Sequence, residues 1–313
     1  MFFFYKSLIS GLQLLYELSN GLTHELALIM TSDLRRLAST LLKIYQVAGK
    51  ASDWIMSLAE AEIDGPYKET AAHKLMTDQI TYDQADPDGD HNRREIMAKA
   101  TMMDANILFR GNSLLTKALD AHMKRLGREY LDETLGAHLK KIAEEDTHYE
   151  VDPLRIERQE DLGKNWKHLL SITRSIWQAI YQSPQRCPIE LRRILKHIRV
   201  CVEERYGDLL RTVKYSSVSG FLFLRFFCPA VLNPKLFGLL KGTTLYYCVK
   251  QNTKANMVID HPGTRAQRTL TLIAKSLQGL ANMTTFGVKE PWMEPMNEFL
   301  TVRLLPILLC NKI

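Results

Sequence analysis

The run WKHLLSITRSIWQAI, Trp166–Ile180, sets Trp166, Leu169, Leu170, Ile176, Trp177 and Ile180 so that each has partners three, four or seven positions away. Residues spaced in this way gather on one side of a 3.6-residue repeat, so the run predicts an amphipathic helix. Working outward, Leu191, Leu195, Ile198 and Val202 continue the pattern in a segment that begins after Cys187-Pro188 and stops at Gly207, a proline start and a glycine stop. Toward the N-terminus a helix is expected from Ser113, with Asn112 or Ser113 as N-cap, to near Gly127. Few stretches alternate with period two. The fold class that follows is all-α.

The 313 residues are 46% hydrophobic and 24% charged, which suits one large domain with a flanking subdomain and argues against disorder. A net charge of +6 is mild. It favours an acidic partner surface weakly, and with no basic-aromatic interleaving to stack bases it argues against nucleic acid. Cys187, Cys201, Cys228, Cys248 and Cys310 show no paired spacing and read as buried reduced thiols of a cytoplasmic protein. The nine histidines show no HExxH or His/Cys ligand spacing, so no metal site is expected. The opening MFFFYKSLISGLQLLY, Met1–Tyr16, is broken by Lys6 and Gln13 before the ~20 residues of a membrane span and lacks the layout of a signal peptide; it reads as helix, with no transmembrane segment expected. Asp86, Asp88 and Asp90 hint at a calcium loop, but the turn glycine is misplaced and Met97 stands where a closing glutamate belongs, which leaves a solvated linker.

Four segments carry residues suited to chemistry. In LFRGNS, Leu108–Ser113, the pair Leu108 and Phe109 is expected to anchor a loop, Gly111 to permit a sharp turn, and Arg110 to project just before Asn112 and the helix start. FLFLRFFCPAVLNP, Phe221–Pro234, buries Arg225 among phenylalanines in sequence, and a guanidinium in an apolar helix needs hydrogen-bond partners. In TLTLIAKSLQGLAN, Thr269–Asn282, a helical projection gathers Leu270, Ile273, Leu277, Leu280 and Ala281 opposite Lys275, Gln278 and Asn282. Asp152 in THYEVDP, Thr147–Pro153, precedes a proline and is expected to cap a helix. No GxxxxGK[ST] and no paired metal carboxylates occur, which excludes a phosphohydrolase acting alone.

These segments resemble the Ras GTPase-activating proteins. LFRGNS is similar to that family's arginine-finger loop, in wording nearest to neurofibromin's, and FLFLRFFCPAVLNP to its Phe-Leu-Arg signature. EVDP and the Lys275 helix, followed by FGVKEPWM (Phe286–Met293), are similar to further family segments. The resemblance implies an all-helical domain that activates GTP hydrolysis in trans and is not itself an enzyme. Arg110 would be the finger, and Arg225 would steady the finger loop. Leu108, Phe109, Gly111, Asn112, Asn233, Lys275, Gln278, Asn282 and Lys289 would meet the partner, a GTP-bound Ras-class GTPase. No cofactor is implied, because GTP and magnesium belong to that partner. The alternative is a scaffold that binds such a GTPase without activating it. The implied organisation is a flanking helical subdomain over 1–75 and a polar linker over 76–97. The catalytic domain then spans 98–300, with an atypical insert at 241–259 that is β-prone at Leu245–Val249, and 301–313 is an atypical tail. Recruitment to the inner face of the plasma membrane would use other regions.

Overall fold

The Trp166–Ile180 repeat forms the middle of a 20-residue helix, Leu162–Tyr181, and its inward residues Leu169, Thr173, Ile176, Trp177 and Ile180 are buried. The structure is a computed structural model that describes residues 33–64, 111–156, 158, 161–206, 218–240, 243–247, 254–258, 262–282 and 284–301. In chain order the helices are α1 (Leu34–Val47), α2 (Ala51–Asp64), α3 (Leu114–Leu126), α4 (Arg128–Leu131), α5 (Ala137–Glu144), α6 (Leu162–Tyr181), α7 (Ile189–Tyr206), α8 (Cys228–Leu232), α9 (Thr264–Ala281) and α10 (Asn297–Leu300). Two π-helical stretches, Asp132–Gly136 and Gly220–Phe227, are inserted among them. Among the described residues the fold is all-α apart from one hairpin. The expected helix at 1–16, the linker at 76–97 and residues 302–313 of the tail lie outside the described residues.

The chain divides into two compact units, Met1–His122 with Arg192–Val218, and Met123–Leu191 with Ser219–Ile313. In the first, α1 and α2 form a short hairpin of helices, joined where Gly49 takes φ +68°, and Tyr45 stacks on Trp54 with ring centroids 4.7 Å apart. The start of α3 is capped as expected. The Thr116 N–H donates to Ser113 Oγ at 3.1 Å and the Ser113 N–H to Thr116 Oγ1 at 3.0 Å, a reciprocal pair in which threonine takes the place usually held by glutamate.

The second unit is assembled around α9. Ala266, Thr269, Leu270, Leu272, Ile273, Ala274, Ser276, Leu277, Gly279, Leu280 and Ala281 are all buried, which is more than one side of a helix, because α8, the Gly220–Phe227 stretch, α5, α6 and α10 all pack against it. A layer of rings lies beyond. Trp177 stacks on Phe223 at 5.7 Å, and Tyr130 meets Phe226 and Phe227 at 6.1 and 5.9 Å. Tyr130 Oη and Ser183 Oγ are 2.6 Å apart, which satisfies the one polar atom that this ring carries into the core; burial holds its phenol proton well above the usual range. Gly127 is required here by space: a Cβ on it would lie 2.3 Å from Phe226 Cζ and 2.7 Å from the Met123 carbonyl oxygen.

The insert folds on itself. Thr243–Tyr247 pairs antiparallel with Lys254–Val258, from Thr243 opposite Val258 to Tyr247 opposite Lys254. Leu245 to Tyr247 therefore obtain the strand pairing that their β-propensity favours.

Because Thr243 and Val258 face each other across the ladder, their Cα atoms are within about 4.5–5.5 Å, and the hairpin can be excised without spanning a gap. Replacing Thr243–Val258 by a short Gly-Ser link is expected to shift the thermal midpoint by less than about 4 °C, the equivalent of ~1 kcal/mol for a chain of this size. Phe223→Ala, by contrast, is expected to lose about 3–5 kcal/mol in a denaturant titration.

Candidate functional site

Five polar residues of α9 and its C-cap form one stripe, Arg268, Thr271, Lys275, Gln278 and Asn282, all half-buried and spaced by three and four. The sequence pattern identified its last three polar members; the structure extends the stripe toward the helix N-terminus. What fixes the stripe is a set of ties between α9 and the segment that follows α5.

Helix α5 ends in a turn where the Thr147 N–H donates to the Ile142 carbonyl at 3.1 Å and the Asp146 N–H reaches the Ala143 carbonyl at 3.4 Å. Asp146 takes the left-handed position, φ +42°, usually held by glycine in this motif. Its carboxylate has a second use. Oδ1 accepts the Ala266 N–H at 3.1 Å and so caps α9 from outside its own sequence, where the local cap residue, Gly263, has no side chain to offer. A Cβ at 263 would meet that carboxylate at 2.3 Å.

The clip continues with Thr269 Oγ1, which donates to the Thr147 carbonyl at 2.7 Å and accepts the Tyr149 N–H at 3.1 Å. Glu150 is 3% exposed at its side chain and faces Arg268: Nε donates to Oε2 at 2.8 Å and Nη2 to Oε1 at 3.0 Å. The Val151 and Asp152 N–H groups also donate to Oε1, each at 3.0 Å. Burial alone would raise the Glu150 pKa, but the Arg268 pair and the two backbone donors outweigh it and hold the carboxyl below its ordinary value. Asp152 does not cap a helix, contrary to the sequence expectation. Its Oδ1 accepts the Leu154 N–H at 3.0 Å and its carbonyl accepts from Arg155 and Ile156, because Pro153 leads into a turn and α6 starts only at Leu162.

Further along the stripe, Lys275 Nζ donates to Glu290 Oε1 and lies 5.9 Å from the Trp292 ring centroid, while the Arg268 guanidinium lies 5.7 Å from the same ring. One indole thus spans two cations separated by two helical turns, and the flexible lysine stem is held from both its carboxylate and its ring partner. Glu290 and Trp292 were quoted in the sequence but given no role, since nothing in a linear pattern pairs residue 275 with residue 290. Gln278 and Asn282 follow Lys275 on the same stripe. Lys289 is exposed in the turn closed by the Glu290 N–H to the Gly287 carbonyl, and no ion pair to it is formed among the described residues.

Asn233 is exposed just after α8, and Gln267 Nε2 donates to the neighbouring Leu232 carbonyl at 2.9 Å, which ties this end of α8 to α9. Arg225 lies in the π-helical Gly220–Phe227 and is half-buried and engaged in interactions of its own. That corrects the expectation of a guanidinium enclosed by phenylalanines. The i−5 bond from the Cys228 N–H to the Phe223 carbonyl widens the turn, so Phe221, Leu222, Phe223, Phe226 and Phe227 go inward while Leu224 and Arg225 stay at the edge. Pro229 supplies a reason, because it has no N–H and its ring crowds the carbonyl four residues earlier, that of Arg225. In the other unit, Gly111 and Asn112 are exposed immediately before the α3 cap. Leu108, Phe109 and Arg110 lie outside the described residues.

The sequence model described as RasGAP, GTPase-activator protein for Ras-like GTPase, matches residues 73–162 and 157–282. The chain belongs to the RasGAP family. It is 40% identical over 195 residues to the probable Ras GTPase-activating-like protein ngap of Dictyostelium discoideum, covering 62% of this chain and 20% of that protein. It is 32% identical over 311 residues to the inhibitory regulator protein BUD2/CLA2 of Saccharomyces cerevisiae, covering 95% of this chain and 23% of the relative. With Ras GTPase-activating protein 1 of Homo sapiens it shares 34% identity over 209 residues, 67% of this chain and 18% of that one. The chain thus spans about a fifth of the length of these RasGAP relatives. The RasGAP match takes in the α5–α6 clip and all of α9 but stops before Lys289, Glu290 and Trp292. No helix among the described residues is long and apolar enough to cross a membrane.

Arg268→Ala would strand the buried Glu150 carboxylate and is expected to cost about 3 kcal/mol or more in chemical denaturation. Since the folded pKa of Glu150 is depressed, its stabilising contribution is fully present above the unfolded value of about 4.3 and is lost as the pH falls through the folded value. The stability difference between wild type and Glu150→Gln should therefore be flat near neutrality and shrink only in that acid range.

Proposed function

We propose that this domain stimulates GTP hydrolysis by a GTP-bound Ras-class small GTPase, and that Arg110 enters the partner's nucleotide site in trans. The observation that carries the reading is the α9 stripe, held in one geometry by Glu290, Trp292 and the Glu150 clip, in a chain whose match to the RasGAP family covers it. Lys275, Gln278, Asn282, Lys289 and Asn233 would meet the partner from the second unit, and Gly111 and Asn112 would follow the finger into contact from the first. Several relatives are named as Ras GTPase-activating proteins, which supports the same partner class.

The chemistry asked of the chain is electrostatic. Hydrolysis of the γ-phosphate spreads negative charge over its oxygens, and a guanidinium fork can neutralise that charge through two directed hydrogen bonds, whereas a lysine ammonium is a single compact charge. A gain of ~10³- to 10⁵-fold is already established for arginine fingers acting on Ras. Leu108 and Phe109 would anchor the loop and Arg225 would hold it in place, a positioning role. The water, the magnesium and the hydrolytic site all belong to the GTPase, so the chain is an activator and not itself a hydrolase. The domain would act in the cytoplasm, and recruitment to the inner face of the plasma membrane would use other regions.

The two lysines should contribute differently. Lys275 is already neutralised by Glu290, so its share is geometric, while Lys289 is exposed and adds field for encounter with an acidic surface.

In single-turnover assays against GTP-loaded Ras-like proteins, Arg110→Ala should lose about 10³-fold in stimulated rate while binding to the GTP-loaded partner stays nearly unchanged, because the finger acts in the transition state. Retention of more than about a tenth of the rate would defeat the finger assignment, and tight binding with no stimulation by the wild type would leave a scaffold. Lys289→Glu should raise the half-saturating GTPase concentration more than it lowers the maximal rate and should flatten the salt dependence.

A further inference from the structure

In the first unit, Glu60 on α2 and His197 and Cys201 on α7 bring one carboxylate oxygen, one imidazole nitrogen and one thiol sulfur within 4.8 Å of one another. His197 Nε2 lies 2.7 Å from Glu60 Oε1 and 3.5 Å from Cys201 Sγ. His197 and Cys201 are four residues apart and so lie one above the other on the same helix face, while Glu60 arrives from a helix 137 positions earlier in the chain. A single ring nitrogen offers either one N–H or one lone pair in its plane. It cannot serve both neighbours well, yet both are directed at it.

A divalent ion would serve all three. With Zn–S near 2.3 Å and Zn–N near 2.0–2.1 Å, tetrahedral coordination sets N and S about 3.5 Å apart, the separation already present. The N to O separation would be about 3.3 Å, so the Glu60 carboxylate must withdraw by roughly half an ångström. Its side chain is half exposed and can do so. A borderline thiolate, imidazole and carboxylate set favours zinc over the hard cations.

We infer that Glu60, His197 and Cys201 form a zinc-class site with three protein ligands and a solvent-facing fourth position. On binding, the Cys201 thiol releases its proton to solvent, the proton that His197 Nε2 shares with Glu60 passes through solvent to Nδ1, and the freed Nε2 lone pair and Glu60 carboxylate both turn to the metal, which replaces their hydrogen bond. Glu60 precedes the family-matched segment and His197 and Cys201 lie inside it, so the ion would pin α2, outside the matched part, to α7. Arg193 Nη2 already donates to Asp53 Oδ1 at 3.2 Å between the same two helices, and the ion would add a second tie.

The test is a titration of the metal-stripped full chain with Co²⁺ as spectroscopic probe and Zn²⁺ as competitor. One cobalt should bind per chain, with a thiolate-to-cobalt charge-transfer band that zinc displaces. The band should vanish in Cys201→Ala, and affinity should fall by more than about tenfold in Glu60→Gln, since losing a ligand should cost at least as much as losing one of its supporting hydrogen bonds. Absence of the band in the wild type, its persistence in Cys201→Ala, or unchanged affinity in Glu60→Gln would overturn the site. Glu60 is exposed, so its variant decides the matter even if the cysteine variant does not fold. No GTPase enters this assay, so its outcome is independent of the proposed activity.

Discussion

Helix α9 must be buried along nearly its whole length and still present a polar stripe, and the second unit is arranged around that constraint. The helix begins in the open, with Gly263, Thr264 and Arg265 exposed, but Gly263 has no side chain to cap it and Asp146 serves the Ala266 N–H instead. Where the helix becomes covered, Arg268 meets the buried Glu150 in paired hydrogen bonds. Its neighbours must come close, which Gly279 permits, since a Cβ there would press on Leu300 Cδ1 at 3.3 Å. Interactions of this kind do more for uniqueness than for net stability, because each offsets a desolvation cost that the fold itself created.

The same arrangement separates two tasks. Residues facing inward fix where α9 lies, and residues along its open stripe are then held by partners that are not on the helix at all: Glu290 and Trp292 for Lys275, Trp292 again for Arg268. On the proposed reading the partner meets side chains whose orientation has been settled beforehand, which lowers the entropic cost of association. On the same reading, Gly111 and Asn112 stand exposed just ahead of a firmly capped helix start.

How much of this was legible in the sequence depended on the range of the interaction. The helices α6, α7 and α9 were readable because burial repeats with the helix period, and the Ser113 cap because capping is local. Asp152 was misassigned because Pro153 leads into a turn and α6 starts only at Leu162, and the residue that does cap α9, Asp146, lies 120 positions from its target, where no local rule links them. The Glu150–Arg268 and Lys275–Glu290 pairs were invisible on the same ground, although Glu150, Lys275 and Glu290 had been quoted. The His197 and Cys201 spacing was present in the sequence but carried no signal without Glu60. The hairpin was legible as β-propensity alone; its register needed the partner strand.

The π-helical run Gly220–Phe227 has a consequence for how this region tolerates change in length. A π-turn holds one residue more than the α-turn it replaces, so everything after it, including Pro229 and Asn233, is rotated about its axis by roughly 100° relative to an uninterrupted helix. The extra residue acts as a phase offset between two stretches of core. Upstream, Phe223 keeps its place against Trp177, and downstream Phe226 and Phe227 keep theirs against Tyr130. An insertion elsewhere in a buried helix would throw one of these sets out of register, whereas in this widened turn the additional residue is accommodated at the edge where Arg225 stands.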